Sequence, residues 1–238
     1  MSETGMVLEP GEKKKHYVRR MFNSIAHRYD FLNHFLSFGI DIVWRKKAIG
    51  KLEVPADQIV LDLACGTADF ALEIIRQKQC RVVGADIALR MLQYARQKRN
   101  DQRLQLMNAD GEALPFKNNS FAGVTIAFGI RNMGERIRAL KEMHRILQPK
   151  GQTVILEFSL PTFLPFRNAY LFYFKHVLPR IGRLISKDKE AYSYLPASVE
   201  HFPTVDEFEG ELKQAGFTPL RHWKLLNGVA VIYKAQKK

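Results

Sequence analysis

The chain has 238 residues, of which 46% are hydrophobic and 26% charged, and a formal net charge of +13. That length buries one good core or at most two small ones, and the basic excess predicts an anionic partner: nucleic acid, an anionic membrane surface or an acidic protein. Two cysteines, Cys65 and Cys80, exclude a disulfide scaffold and fit the cytoplasm, while the absence of a signal-like apolar start or of a run of about eighteen apolar residues excludes a secretory leader and a spanning helix.

Residues 1–15 are polar and read as a mobile tail. From His16 to Lys51 apolar residues recur at helical spacing, which predicts two or three helices. Then the rhythm becomes strand, turn, helix. The stretch ending in Asp62-Leu63-Ala64-Cys65 is a strand, followed by a helix over 69–78 that Asp69 is placed to cap. A second strand ends at Asp86 and leads to a helix over 89–98. A third ends at Asp110 and a fourth covers 120–128. Residues 135–147 form an amphipathic helix stopped by Pro149, and a fifth strand covers 151–159. Strands alternating with helices predict an α/β fold with a mostly parallel sheet and helices on both faces. Residues 161–195, rich in aromatics and basic groups, break the pattern and read as an insert. A helix over 205–215 ends at Gly216, and two strands meeting at Asn227-Gly228 make an antiparallel hairpin.

Ligands of open α/β sheets bind beyond the carboxyl ends of the strands. The turn after the first strand holds Gly66, yet neither G-x-G-x-x-G nor a G-x-x-x-x-G-K-[ST] loop is present, so a phosphate cradle is not expected. Asp86 is placed to accept from ribose hydroxyls and Asp110-Gly111 to take the amino group of adenine. Two carboxylates, a tight Gly turn and no phosphate cradle suit an adenosyl group on a sulfonium, as in S-adenosylmethionine. The expected cofactor residues are Asp62, Gly66, Thr67, Asp86, Ile87, Asp110, Gly111 and Ala127. Cys65 reads as a small turn residue rather than a nucleophile, and no metal-ligand spacing is present.

Two further segments add specificity. Tyr29-Asp30-Phe31-Leu32-Asn33, with Ser37 and Trp44, and Arg145-Ile146-Leu147-Gln148-Pro149-Lys150-Gly151 running into Glu157-Phe158-Ser159 resemble motifs of the C-methyltransferases that act on prenylated quinols in ubiquinone and menaquinone synthesis. Ala113-Leu114-Pro115-Phe116 and Phe128-Gly129-Ile130-Arg131-Asn132 also resemble that family, and the resemblance runs from Tyr17 to Lys234. It implies a Rossmann-like class I S-adenosylmethionine methyltransferase with a seven-stranded sheet. It also implies a prenylated quinol substrate, either demethylmenaquinol or the methoxylated benzoquinol precursor of ubiquinone. Four positions depart from the pattern, one of them Ala127, where some members of the family have Ser near the cofactor. Ala68 stands where the family has Gly, which fits only if position 68 does not need positive φ. Asp41 stands for His, and Leu32 for Met.

A hydroquinone carbon attacks a methyl group best as its ring hydroxyl loses a proton. The resemblance places this chemistry at Arg131 and Asn132, with Tyr192 as a further catalytic candidate and Tyr29 and Phe128 lining the substrate site. Arg131 also reads as a structural ion-pair partner, and an arginine is a poor direct base. The insert is expected to cap the substrate, its aromatics lining a prenyl channel and Arg167, Lys175, Arg180 and Arg183 facing anionic headgroups at the inner face of a membrane. A homo-oligomer or a quinone-synthesis complex is also compatible. An RNA methyltransferase accounts for the basic charge, but the fourth strand leads into Ala127-Phe128-Gly129-Ile130 and not into an Asn/Asp-Pro-Pro-aromatic loop. A non-enzymatic scaffold is opposed by the carboxylates at Asp86 and Asp110.

Overall fold

A computed structural model describes residues 9–30, 37, 39–98, 101–173 and 189–238. Ahead of the sheet lie α1 (Glu12–Ile25), a short 3-10 turn (Ala26–Arg28) and α2 (Ile40–Ile49). The alternating portion follows as β1 (Ile59–Leu63), α3 (Asp69–Lys78), β2 (Arg81–Asp86), α4 (Leu89–Lys98), β3 (Leu104–Asn108), β4 (Phe121–Ala127), α5 (Arg136–Ile146) and β5 (Leu147–Phe158). The chain closes with α6 (Leu164–Phe172), α7 (Lys189–Glu200), α8 (Val205–Gln214), β6 (Phe217–Leu225) and β7 (Ala230–Lys237).

The seven strands form one sheet in the order β3-β2-β1-β4-β5-β7-β6. Strands β1 to β5 pair in parallel, and β7 is antiparallel to both β5 and β6. Six strands therefore run one way and β7 the other. Alternate residues of each strand point to opposite faces. Val60, Val82, Val154 and Ile232 join one buried cluster with Phe70, Ile74 and Ile75 of α3. Leu61, Ile126, Ile155, Val231 and Tyr233 join the other with Leu140 and Met143 of α5 and Phe208 and Leu212 of α8. Each fully buried aliphatic or aromatic side chain favours folding by about 1.5–3 kcal/mol, so the doubly covered sheet is the main source of cohesion.

Several local expectations change. The polar tail does not extend to residue 15, because α1 begins at Glu12 and Lys14 is buried. Its anchors are distant backbone carbonyls and carboxylates, which a polar sequence does not announce. Asp69 does not cap α3: the cap position is Ala68, and the Asp69 carboxylate pairs with Lys98. Position 68 does adopt positive φ, 69°, so an alanine occupies the left-handed region that the family glycine suits. Asp41 is buried in an ion pair with Arg45 of the next helical turn and accepts from Ser37 Oγ at 2.7 Å. The fifth strand starts directly after α5. Leu147 pairs with Phe121, a bulge with Lys150 at φ 63° follows, and regular pairing resumes at Gln152 opposite Gly123.

At the end of the sheet, Asn227 and Gly228 take positive φ of 52° and 94° between β6 and β7, as the Asn-Gly pair predicts. Gly216, at φ 100°, follows α8. Lys237 reaches back from β7 and donates to the carbonyls of His144 and Leu147 at 2.9 and 2.8 Å, closing the carboxyl end of α5. The insert contains α6 and the start of α7; Phe174, Lys175, His176, Val177, Arg180 and Arg183, like Phe31, Leu32 and Asn33 of the N-terminal motif, lie outside the described residues.

Candidate active site

The carboxyl ends of β1, β2, β3 and β4 meet under α1, and a cavity opens there. Its walls include Tyr29, Gly66, Asp86, Ile87, Asp110, Gly111, Ala127, Phe128 and Asn132. These residues come from across the chain, and the parallel topology collects them because every loop after a parallel strand opens at the same edge.

The turn after β1 gives the cavity its floor. Ala64, Gly66 and Ala68 take positive φ of 51°, 56° and 69°, bending the chain sharply between β1 and α3. Asp86 locks this turn: Oδ2 accepts from the Gly66 amide at 2.8 Å and Oδ1 from the Ala88 amide at 2.7 Å. Burial raises the Asp86 carboxyl above its usual range, opposed by those backbone donors. A carboxylate has about four acceptor positions, so Asp86 retains capacity to accept further donors from the cavity. Asp110 is fixed in the same way, with Oδ1 accepting from the Glu112 amide at 2.9 Å and Oδ2 from Lys15 Nζ at 2.9 Å.

Asp62 and Thr67 are not walls of this cavity. Asp62 is buried beneath it, where Oδ1 accepts from Thr125 Oγ1 at 3.0 Å and Oδ2 has no partner among the described residues. Burial pushes its carboxyl up to about 7. Thr67 is buried and donates to Asp30. Cys65 is buried, its sulfur 3.0 Å from where a Cβ on Gly84 would stand, and burial raises its thiol well above the ordinary value. That supports a packing role.

The loop after β4 carries the candidate chemistry. Phe128 has φ 57°, an uncommon conformation for a bulky residue and a mark of local strain. Its carbonyl accepts from Arg131 Nη1 at 2.6 Å and from Asn132 Nδ2 at 3.2 Å, and its ring stacks on Phe158 with centroids 4.4 Å apart. Gly129 admits this turn: a Cβ there would sit 2.7 Å from the Cβ of Ala64. Arg131 is itself held by Glu157 of β5, whose Oε1 accepts from Nη1 at 2.6 Å and whose Oε2 accepts from the Arg131 amide at 3.2 Å. Ser198 of α7 accepts from Nε at 3.3 Å. The guanidinium is thus a buried ion-pair partner. Arg131 is not a wall of the first cavity; it lines a second one with Lys14, Arg136, Ser198 and His201, and Met133 and Gly134 border both. Asn132 lines the first, and its buried Oδ1 lacks a partner among the described residues. The Tyr192 side chain lies outside the described residues.

A sequence profile of the ubiE/COQ5 methyltransferase family matches residues 11–237. The chain belongs to that family. It is 45% identical over 235 residues to the ubiquinone/menaquinone biosynthesis C-methyltransferase UbiE of Geotalea uraniireducens, covering 96% of this chain and 98% of the relative. It is 41% identical over 230 residues to the demethylmenaquinone methyltransferase of Porphyromonas gingivalis, covering 94% of each. Among solved structures, a Thermotoga maritima SAM-dependent methyltransferase superposes with a TM-score of 0.65 at 18% identity, covering 92% of this chain and 99% of that one. One from Aquifex aeolicus gives 0.60 at 15%, covering 82% and 89%. At these identities the structures show the fold, a Rossmann-like methyltransferase fold, while the family match makes the chain a methyltransferase.

Sequence reasoning missed what covers the cavity in this family member. Lys14 Nζ donates to the Arg131 carbonyl at 2.9 Å, and burial, reinforced by Arg136 and Arg131, pulls its amine down to about 8. Lys15 also lines the cavity. Burial draws its amine down, but Glu12, Asp110 and Glu112 outweigh that and hold the ammonium above the usual lysine value. Glu112, only 2% exposed, accepts from the Gly134 and Glu135 amides at 2.7 and 3.0 Å and so ties the β3 loop to the β4 loop. The stripe Val18, Met21, Ile25 was the available signal for α1; nothing local marks which lysine reaches which loop.

Proposed function

We propose that the chain transfers a methyl group from S-adenosylmethionine to a ring carbon of a prenylated quinol. Demethylmenaquinol is the favoured substrate, with the methoxylated benzoquinol precursor of ubiquinone as the alternative. The observation that carries this reading is the convergence of Gly66, Asp86, Asp110 and Asn132 on one cavity in a member of this family. The names of the relatives, which cover both quinones, support the substrate class.

Asp86 accepts from the ribose hydroxyls and Asp110 from the adenine amino group. Asn132 Oδ1, buried with no partner among the described residues, accepts from the amino-acid end of the donor or from the substrate hydroxyl. Asp62 and Thr67 support the turn. When bound, S-adenosylmethionine supplies an electrophilic methyl group on a sulfonium. The protein's share is positioning and control of the ring hydroxyl. The quinol ring lies by Phe128 and Tyr29, between the two cavities at Met133–Gly134, where Arg131 stabilises the phenolate as charge develops. Glu157 keeps the guanidinium in place, and Tyr192 stays the further catalytic candidate that the family resemblance implies.

Contact with an anionic bilayer is part of the same reading. Phe163, Leu164 and Phe172 at the insert are 61%, 65% and 63% exposed, and the chain carries a net charge of +13. No helix among the described residues is long and apolar enough to cross a membrane.

The test gives purified protein methyl-labelled S-adenosylmethionine with reduced demethylmenaquinone or the benzoquinol precursor in detergent, beside Asp86→Ala. Label in either quinol, lost by at least tenfold in the variant, is expected. Donor binding without label in either quinol overturns the substrate assignment and leaves the cofactor assignment intact.

A further inference from the structure

Asp30 follows Tyr29 in the N-terminal motif, and the chemistry above gives it no task. Its carboxylate joins three segments that meet only in the folded chain. Oδ1 accepts from the hydroxyl of Thr67, next to Gly66 in the turn after β1. Oδ2 lies 2.6 Å from Lys98 Nζ at the end of α4. Lys98 also lies 2.5 Å from Asp69 Oδ1 and 3.3 Å from Thr67 Oγ1. Asp30 and Lys98 side chains are 28% and 31% exposed, and partly exposed ion pairs contribute little to global stability. What the cluster does fix is position. The Tyr29 ring stands 3.8 Å from where a Cβ on Gly66 would be, and both residues line the first cavity. The ring is braced behind by Phe22 at 5.8 Å between centroids. The backbone at Tyr29–Asp30 is thus pinned on one side by Thr67 and Lys98, while the neighbouring aromatic ring faces the glycine turn.

We propose that Asp30 is a positioning residue for the methyl-donor pocket: through Thr67 and Lys98 it holds the Tyr29 ring against the Gly66 turn and so sets affinity for the donor. This rests on the reading that the first cavity takes S-adenosylmethionine. Three consequences follow from the geometry. Loss of the carboxylate frees Tyr29 and weakens donor binding. Loss of charge alone, with an acceptor kept for Thr67, weakens it less. Loss of Lys98 acts in the same direction but less, because Thr67 still reaches Asp30.

The experiment measures S-adenosylmethionine binding by calorimetry and steady-state methyl transfer for full-length Asp30→Ala, Asp30→Asn, Lys98→Met, Tyr29→Ala and the Tyr29→Ala/Asp30→Ala double variant, with Asp86→Ala as the control. Asp30→Ala is expected to raise Kd and KM for the donor about tenfold with kcat within about twofold, and Asp30→Asn and Lys98→Met to raise them about threefold. The double variant should bind no worse than Tyr29→Ala, since Asp30 acts through that ring. If Asp30→Ala lowers Tm while Kd stays at the wild-type value, the residue is merely structural and the proposal is wrong. Additive losses in the double variant overturn the route through Tyr29. An Asp86→Ala protein that binds donor like wild type defeats the assignment of the cavity itself, which is a separate outcome. Should Asp30→Ala fail to fold, Asp30→Asn and Lys98→Met decide alone: unchanged Kd in both rejects the proposal.

Discussion

Asp62 and Ala68 lie within seven residues of each other and carry opposite kinds of frustration. Ala68 holds left-handed backbone at the cost of about 1–2 kcal/mol, partly offset by its fully buried methyl group. Asp62 is a carboxyl kept from water, and its proton is the measurable consequence. In the unfolded chain it ionises near pH ~4; in the folded protein it keeps its proton up to about 7. Between those values the folded state binds more protons than the unfolded state. Stability from this group is therefore complete below about pH 4 and lost as pH rises towards 7, after which it is constant. Tm measured from pH 4 to 8 should fall more steeply in wild type than in Asp62→Asn, whatever the variant's absolute stability. Parallel curves mean that the Asp62 carboxyl is already ionised in the fold at low pH.

At the scale of elements, α1 covers the first cavity. Gly11 donates to the Gly134 carbonyl at 3.0 Å, Lys14 to the Arg131 carbonyl, and Lys15 to Asp110 and Glu112. Lys15→Met removes a partly buried ion pair and should make local opening of α1 easier by about 1 kcal/mol. Trypsin cleavage after Arg19 and Arg20, followed by mass spectrometry, is then about fivefold faster, and S-adenosylmethionine slows it in both proteins. Equal rates with and without the substitution contradict a latching role for Lys15. This element also marks the limit of what the sequence discloses. Strands β1 to β5, the Asn227-Gly228 turn and the carboxylates at strand ends were legible because apolar runs, turn residues and chain order are local signals. The partners of Lys14 and Lys15 stand 117 and 95 residues away, and Glu157 stands 26 residues from Arg131. No periodicity reports such distances. The bulge before Gln152 and the positive φ of Phe128 were invisible for a related reason, since both are imposed by neighbouring strands and loops.

For the whole molecule, the proposed bilayer contact combines the charge excess with the exposed Phe163, Leu164 and Phe172 of the insert. A bilayer contact made by Phe163, Leu164 and Phe172 and strengthened by basic residues should depend on both lipid charge and salt. Co-sedimentation with vesicles containing anionic lipid is expected at low salt, falling about tenfold at 0.5 M NaCl, with little binding to zwitterionic vesicles. Salt-independent binding to both vesicle types contradicts an electrostatic contribution. The architecture was legible at this scale because a repeated strand–helix rhythm admits few topologies. Which loops close over the site was not, because that depends on contacts between segments far apart in sequence.

The position of β7 between β5 and β6 has a consequence for how the chain is made on the ribosome. Strand β6 emerges first but has no neighbour until β7 exists, because β7 alone bridges it to β5. Until then β5 presents an open row of amides and carbonyls to whatever is nearby, a template for pairing with another nascent chain. A chain stopped after Leu225 leaves that row uncovered, and the Asn227-Gly228 turn is what folds β7 back to cover it.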